Sequence, residues 1–177
     1  MIKTLAVGAR WCQRNLYCDE KKRPLGVVMQ VRNLNEEECR ELLVRLAFGR
    51  LACAFKHQPY VVPIYFVYQA ECLYGFSTAG QKIEWMRANP LVCVEVDEVL
   101  AQESWSSVIV YGQYQELPDS PKYAELRRFA HELVEKRSLW WELAIASSQT
   151  RSEERRPVPI LYRIQINKMT GHKAVAD

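Results

Sequence analysis

Three β-rich runs separated by turns of only three residues occupy positions 50–76, and turns that short leave consecutive strands antiparallel pairing alone. Residues 50–56 are small and apolar, and His57-Gln58-Pro59 makes a turn. Residues 60–68 are rich in Val, Ile, Tyr and Phe, Gln69-Ala70-Glu71 turns again, and residues 72–76 form the third run, so the three read as a meander. Residues 91–96 and 107–115 supply two more β-rich runs, and residues 160–166 alternate apolar and polar side chains as a half-buried strand does. The fold class expected is mainly β with α (α+β): about six strands in a closed or split antiparallel barrel with helices outside it. No GxGxxG occurs, which argues against a doubly wound sheet with a dinucleotide site.

Helix signals fall between and after these runs. Asn35 followed by Glu36, Glu37 and Glu38 is a capping residue with a carboxylate three positions on. Leu42, Leu43, Leu46 and Ala47 continue at helical spacing, and Gly49 is expected to stop that helix. Thr78-Ala79-Gly80 opens a second helix carrying Ile83, Trp85 and Met86, which must end before Pro90. Ser120 and Pro121 read as the cap and first turn of a third, with Leu126, Phe129, Ala130, Leu133 and Val134 on one face. Residues 1–33 show no sustained period, and the charged cluster from Asp19 to Arg23 before Pro24 reads as exposed loop. The organisation expected is an N-terminal extension, 1–33, ahead of one domain, 34–177.

Composition narrows the function classes. At 177 residues and 49% hydrophobic content the chain can bury one sizeable core. Its 24 basic and 21 acidic residues are mixed along the chain, a field too weak to point to nucleic acid. Neither a secretory leader core nor an apolar run long enough for a bilayer is visible, so a reducing cytoplasm is the expected setting, without a membrane partner. Of six cysteines, Cys53, Cys72 and Cys93 sit in apolar strand-like runs and Cys12 and Cys18 are the one close pair. With no CxxC and with His57, His131 and His172 far apart, no metal site is expected.

One segment combines hydroxyls, a glycine and a lysine at a strand-to-helix junction: Ser77-Thr78-Ala79-Gly80-Gln81-Lys82. Backbone N–H groups at a helix start attract phosphate, Gly80 permits close approach, and Lys82 adds a point charge. The same hexapeptide also reads as an ordinary turn followed by an exposed lysine.

In chain order stand Pro59-Tyr60-Val61-Val62-Pro63, Leu73-Tyr74, Ser77-x-x-Gly80-x-Lys82, Asn89-Pro90-x-Val92-Cys93 and Trp105-Ser106-Ser107-Val108. This series resembles the FMN-binding split barrels of the pyridoxamine 5′-phosphate oxidase-like superfamily, in the branch with nitroimidazole-resistance reductases and flavin-nucleotide-binding proteins. The resemblance covers residues 35–117 closely and the final strand more loosely. It implies a six-stranded Greek-key split barrel with FMN as cofactor, bound at the interface of a homodimer. Lys82, with the hydroxyls of Ser77 and Thr78 and the backbone at Gly80, would hold the phosphate, with Arg50 nearby. Backbone around Pro63, Ile64 and Tyr65 would meet the isoalloxazine, and Ser106, Ser107 and Val108 would close the groove. The activity implied is oxidoreduction of a small organic substrate; a haem-binding split barrel and a non-catalytic flavin carrier or sensor are the alternatives. Histidine commonly stands where the third strand ends in nitroimidazole-resistance members, whereas this chain has Phe76 there.

Overall fold

The computed structural model describes residues 29–136 and 159–176. Cys12, Cys18, Trp140, Trp141 and the charged stretch 151–156 lie outside them.

The Asn35 signal produces its helix. In α1, Glu36–Arg45, the Asn35 side chain accepts from the Glu38 N–H at 2.9 Å and the Glu38 carboxylate accepts from the Asn35 N–H at 2.9 Å. Two otherwise unpaired donors are thereby satisfied, and three glutamates face the positive end of the helix dipole. The helix stops earlier than expected, at Leu46, whose N–H bonds the Leu42 carbonyl at 2.9 Å. Gly49 is instead a buried strand residue: a Cβ there would lie 2.6 Å from the Glu95 carbonyl oxygen, so close strand approach, not helix termination, requires the glycine.

Strands β2, Phe48–Phe55, and β3, Gln58–Tyr65, form a hairpin around Lys56-His57. Strands β4, Val67–Gln69, and β5, Cys72–Ser77, form another around Ala70-Glu71. All four turn residues have positive φ, between 48° and 65°, as two-residue hairpin turns demand. Non-glycine residues adopt this conformation at a cost of about 1–2 kcal/mol each, and without glycine or asparagine the sequence carries no signal for the turn limits, which lie a residue or two from those expected.

The run expected as one strand over 60–68 is divided at Phe66, which is buried and donates its N–H to the Ala47 carbonyl at 2.9 Å. On one side of it β3 pairs with β2; on the other β4 pairs with β5. The remaining elements are α2, Gln81–Ala88; β6, Leu91–Ala101; β7, Ser104–Glu116; a 3-10 turn, Pro121–Tyr123; α3, Ala124–Lys136; β8, Ile160–Ala176; and β1, Met29–Leu34. The sheet runs β3-β2-β6-β7-β8-β5-β4, with β1 on the far half of β8. Because β3 and β4 end that path yet are joined through Phe66, the sheet must curl until its ends meet. That is a barrel with one seam. The α+β split barrel expected is therefore the fold found, with eight strands among the described residues rather than six. The meander is corrected: β5 pairs with β8 and β4, not with β3.

Inside the barrel, Leu51, Val94, Val96, Val108, Val110 and Ile164 form the core, and Leu42, Leu43, Ile83 and Met86 bring α1 and α2 against it. Helix α3 packs Ala130 and Val134 on the outer side of β5 and β8, over Cys72, Tyr74 and Leu161, and Phe76 joins that cluster. The Ser120 hydroxyl accepts no capping hydrogen bond; its carbonyl accepts from the Tyr123 N–H at 3.0 Å. No helix among the described residues is long and apolar enough to cross a membrane.

Candidate functional site

Hydrogen-bond parity along β3 defines what its free edge offers. In a two-residue hairpin the flanking residues, Phe55 and Gln58, form a hydrogen-bonded pair, so Cys53/Tyr60, Leu51/Val62 and Gly49/Ile64 do likewise. The Phe66-to-Ala47 bond continues the same parity. The backbone groups of Val62 and Ile64 are thus consumed by β2, while those of Pro59, Val61, Pro63 and Tyr65 point away from it. Two of these four are prolines without an N–H. Over 59–63 the edge therefore presents a single amide donor, Val61, among three carbonyls.

The Ser77–Lys82 corner crosses that edge. Strand β5 passes the end of β3 at Gly75, where a Cβ would stand 3.2 Å from the Tyr65 carbonyl oxygen. Ser77, Thr78, Ala79 and Gly80 then lead into α2, and Trp85 of α2 returns to β3, its ring 5.5 Å from that of Tyr60 and 6.1 Å from that of Phe55. Gly80 has extended backbone, and no atom of the described residues lies within 4 Å of where its Cβ would be. Ser77 donates its hydroxyl to the Thr78 carbonyl at 3.1 Å.

Lys82 is half-buried and has no carboxylate partner among the described residues; burial pushes its ammonium below the ordinary lysine value, partly offset by the neighbouring Cys53. Burial likewise raises the Cys53 thiol, while Lys82 pulls it down. A desolvated cation left uncompensated at a helix N-terminus is a receptor for an anion. A phosphorylated ligand fits this donor set: positive charge and free helix-start N–H groups at one end, a sparse strand edge beside them.

The expected site residues separate into three groups. Ser77, Thr78, Gly80 and Lys82 line the corner, and Pro63 and Tyr65 line the edge facing it. The Ile64 side chain is buried in the core at 4% exposure and its backbone is engaged with β2. Arg50 lies on the outer face of β2, level with Pro63, where its guanidinium donates to Glu95 at 3.0 Å and to Asp97. Ser106, Ser107 and Val108 lie elsewhere on the wall. The row Ala52–Cys93–Tyr111 is level with the neighbourhood of Lys82, and Ser107 is four residues further along β7, about 13 Å. Val108 is fully buried, so one copy of the chain does not bring this trio beside the corner.

Sequence reasoning missed the backbone of Val61 and the Trp85–Tyr60 contact that fixes α2. The signal for the first was present: prolines at 59 and 63, four apart, mark one edge of a strand as excluded from a ladder.

A curled antiparallel sheet, a single seam and a cationic corner beside it define a split-barrel binding protein. The chain belongs to the pyridoxamine 5′-phosphate oxidase family, whose model matches residues 35–173. It is similar to an uncharacterised protein of Rhizobium meliloti strain 1021, 37% identical over 148 residues that cover 84% of this chain and 98% of the relative. Among solved structures it is similar to a FAD-binding protein from Mesorhizobium loti, at 41% identity and TM-score 0.67, covering 83% of this chain and 98% of that one. A 5-nitroimidazole antibiotic resistance protein from Bacteroides thetaiotaomicron shares the fold at 18% identity and TM-score 0.60, covering 87% of this chain and 95% of that one.

Proposed function

We propose that the chain binds a flavin nucleotide, FMN, in the seam between β3 and the Ser77–Lys82 corner, at the interface of a homodimer, and uses it to oxidise or reduce a small organic substrate. The observation that carries this reading is Lys82, a half-buried cation with no anionic partner among the described residues, set across a strand whose Val61 and Pro63 turn their backbone groups away from β2. Lys82, Ser77, Thr78 and the first N–H groups of α2 would hold the phosphate. Val61 N–H and Pro63 C=O would meet the polar edge of the ring. When bound, the flavin supplies a reversible acceptor of hydride or single electrons. The protein's part is to neutralise the phosphate, orient the ring and keep water from one of its faces.

The relative named FAD-binding favours a second form of the same reading, a dinucleotide whose extra phosphate and adenosine leave past Gly80, where the corner is open. Protein purified from cells is expected to be yellow, with a released cofactor of FMN mass; FAD mass moves the reading to the dinucleotide. Colourless protein that takes up neither flavin, or a haem Soret band in its place, overturns it. Turnover is read as reduction of the bound flavin by NADH or NADPH and reoxidation by small acceptors. Failure across a broad panel leaves a flavin carrier.

A further inference from the structure

The hydroxyl of Tyr162 is the one buried side-chain polar atom among the described residues that has no hydrogen-bond partner. The residue is 1% exposed, and burial pushes its phenol well above the ordinary value, so it stays a neutral O–H donor through the neutral range. A buried donor without a partner carries a desolvation cost that phenylalanine in the same space would not. The neighbouring core tyrosine meets that demand from within the chain: Tyr114, its ring 5.5 Å from that of Tyr162, donates its hydroxyl to Glu116 at 3.1 Å.

The direction of the Tyr162 side chain relates that hydroxyl to the seam. On β8, Tyr162 stands between Gly75 of β5 and Glu116 of β7. Its ring leans across β5: a Cβ on Gly75 would lie 3.0 Å from both its Cζ and its hydroxyl oxygen, so the missing side chain at 75 is what lets the phenol cross the strand. The same point is 3.2 Å from the Tyr65 carbonyl oxygen. Hydroxyl and carbonyl therefore belong to opposite walls, one carried by β5 and β8 and the other by the end of β3, two residues before the Ser77–Lys82 corner begins. A carbonyl oxygen has two lone pairs, so this one can take the phenol whatever else it holds.

We propose that Tyr162 is a positioning residue of the ligand-bound seam: when a flavin spans the corner and β3 the two walls draw together, and the Tyr162 hydroxyl donates to the Tyr65 carbonyl and pins the end of β3. The inference rests on the flavin reading and adds to it a residue that acts from inside the barrel without touching the ligand. A ligand shifts an equilibrium only by what differs between the two states. Here the difference is a donor that is unpaired in the empty protein and paired in the loaded one.

The test compares Tyr162→Phe with wild type and with Tyr114→Phe in two measurements on the full chain: the melting temperature of the flavin-free protein by circular dichroism, and the dissociation constants of FMN and FAD by fluorescence titration. Flavin-free Y162F should melt at or above the wild-type temperature, since it loses an unpaired donor and no bond, and should bind flavin about fivefold more weakly. Y114F should do the reverse, melting lower with flavin affinity unchanged, because its hydroxyl is already bonded to Glu116. A role in packing alone would not raise stability and lower affinity in one variant. Y162F that binds flavin as tightly as wild type, Y162F that melts lower without flavin, or Y114F with the pattern expected of Y162F overturns the inference and leaves the flavin reading standing. A wild type that takes up neither FMN nor FAD overturns both.

Discussion

Arg40 and Lys82 are both partly buried cations near the start of a helix, and the fold treats them in opposite ways. Arg40 donates to Glu36 at 3.0 Å and to Glu71 at 2.8 Å, with Glu37 at 3.9 Å, and the Tyr68 hydroxyl donates to the same Glu71 oxygen at 2.7 Å. Every charge in that corner is answered from within the chain. Among the described residues, the one titratable group felt by Lys82 is the Cys53 thiol. A protein that can assemble three carboxylates around one arginine is not short of acids; on the proposed reading, the lysine left bare among the described residues is kept for an anion the chain does not encode.

The comparison breaks most decisively at Lys82. Lys82→Glu is expected to weaken flavin binding on the order of 100-fold, about 2.7 kcal/mol, in a fluorescence titration, with unchanged far-ultraviolet circular dichroism. Equal affinity would place the ligand elsewhere. In the satisfied corner the effects fall on stability alone. Asn35→Ala removes the cap of α1 and should cost about 1 kcal/mol in urea denaturation without altering flavin affinity.

Glu71→Gln should cost less, about 0.5 kcal/mol, since the pair is solvent-exposed. Its mark is in acid. The Arg40 hydrogen bond, then that of Tyr68, holds the Glu71 carboxyl below its usual value, so its contribution is full above the ordinary carboxylate range and lost as pH falls through the lowered value. The variant should lack that part of the acid slope. The smallest effect is at the alkaline end. Lys82 titrates below the ordinary 10.5 in the folded chain, so apo protein should gain stability as pH rises through the interval up to 10.5. Lys82→Met should abolish the gain, and a bound phosphate should suppress it.

Local chemistry was legible in the sequence and long-range pairing was not. Asn35 and Glu38 meet within one helical turn, and the serine, glycine and lysine of the corner sit within six residues, so spacing alone announced both. The partners of Arg50 lie 45 and 47 residues away on β6, and nothing in its own surroundings points to them. Strand β1 was unread because Met29, Gln30, Val31, Arg32 and Asn33 are all exposed, which leaves no buried face to impose a period. Strand β8 continues ten residues past Ile166 to Ala176, through Asn167, Lys168 and His172, whose polarity hides a strand held by neighbours on both sides. The division at Phe66 was invisible because apolar runs look the same whether a strand keeps its neighbour or changes it.

Pro59 and Pro63 carry a consequence for how the chain behaves in company. A bare sheet margin invites any passing extended peptide to zip onto it, and growth of that kind ends in fibres. With two of its amides removed by proline, the margin at β3 is a poor template for a polypeptide that needs a donor at every second residue, while a flat heterocycle, as proposed, would need few contacts there.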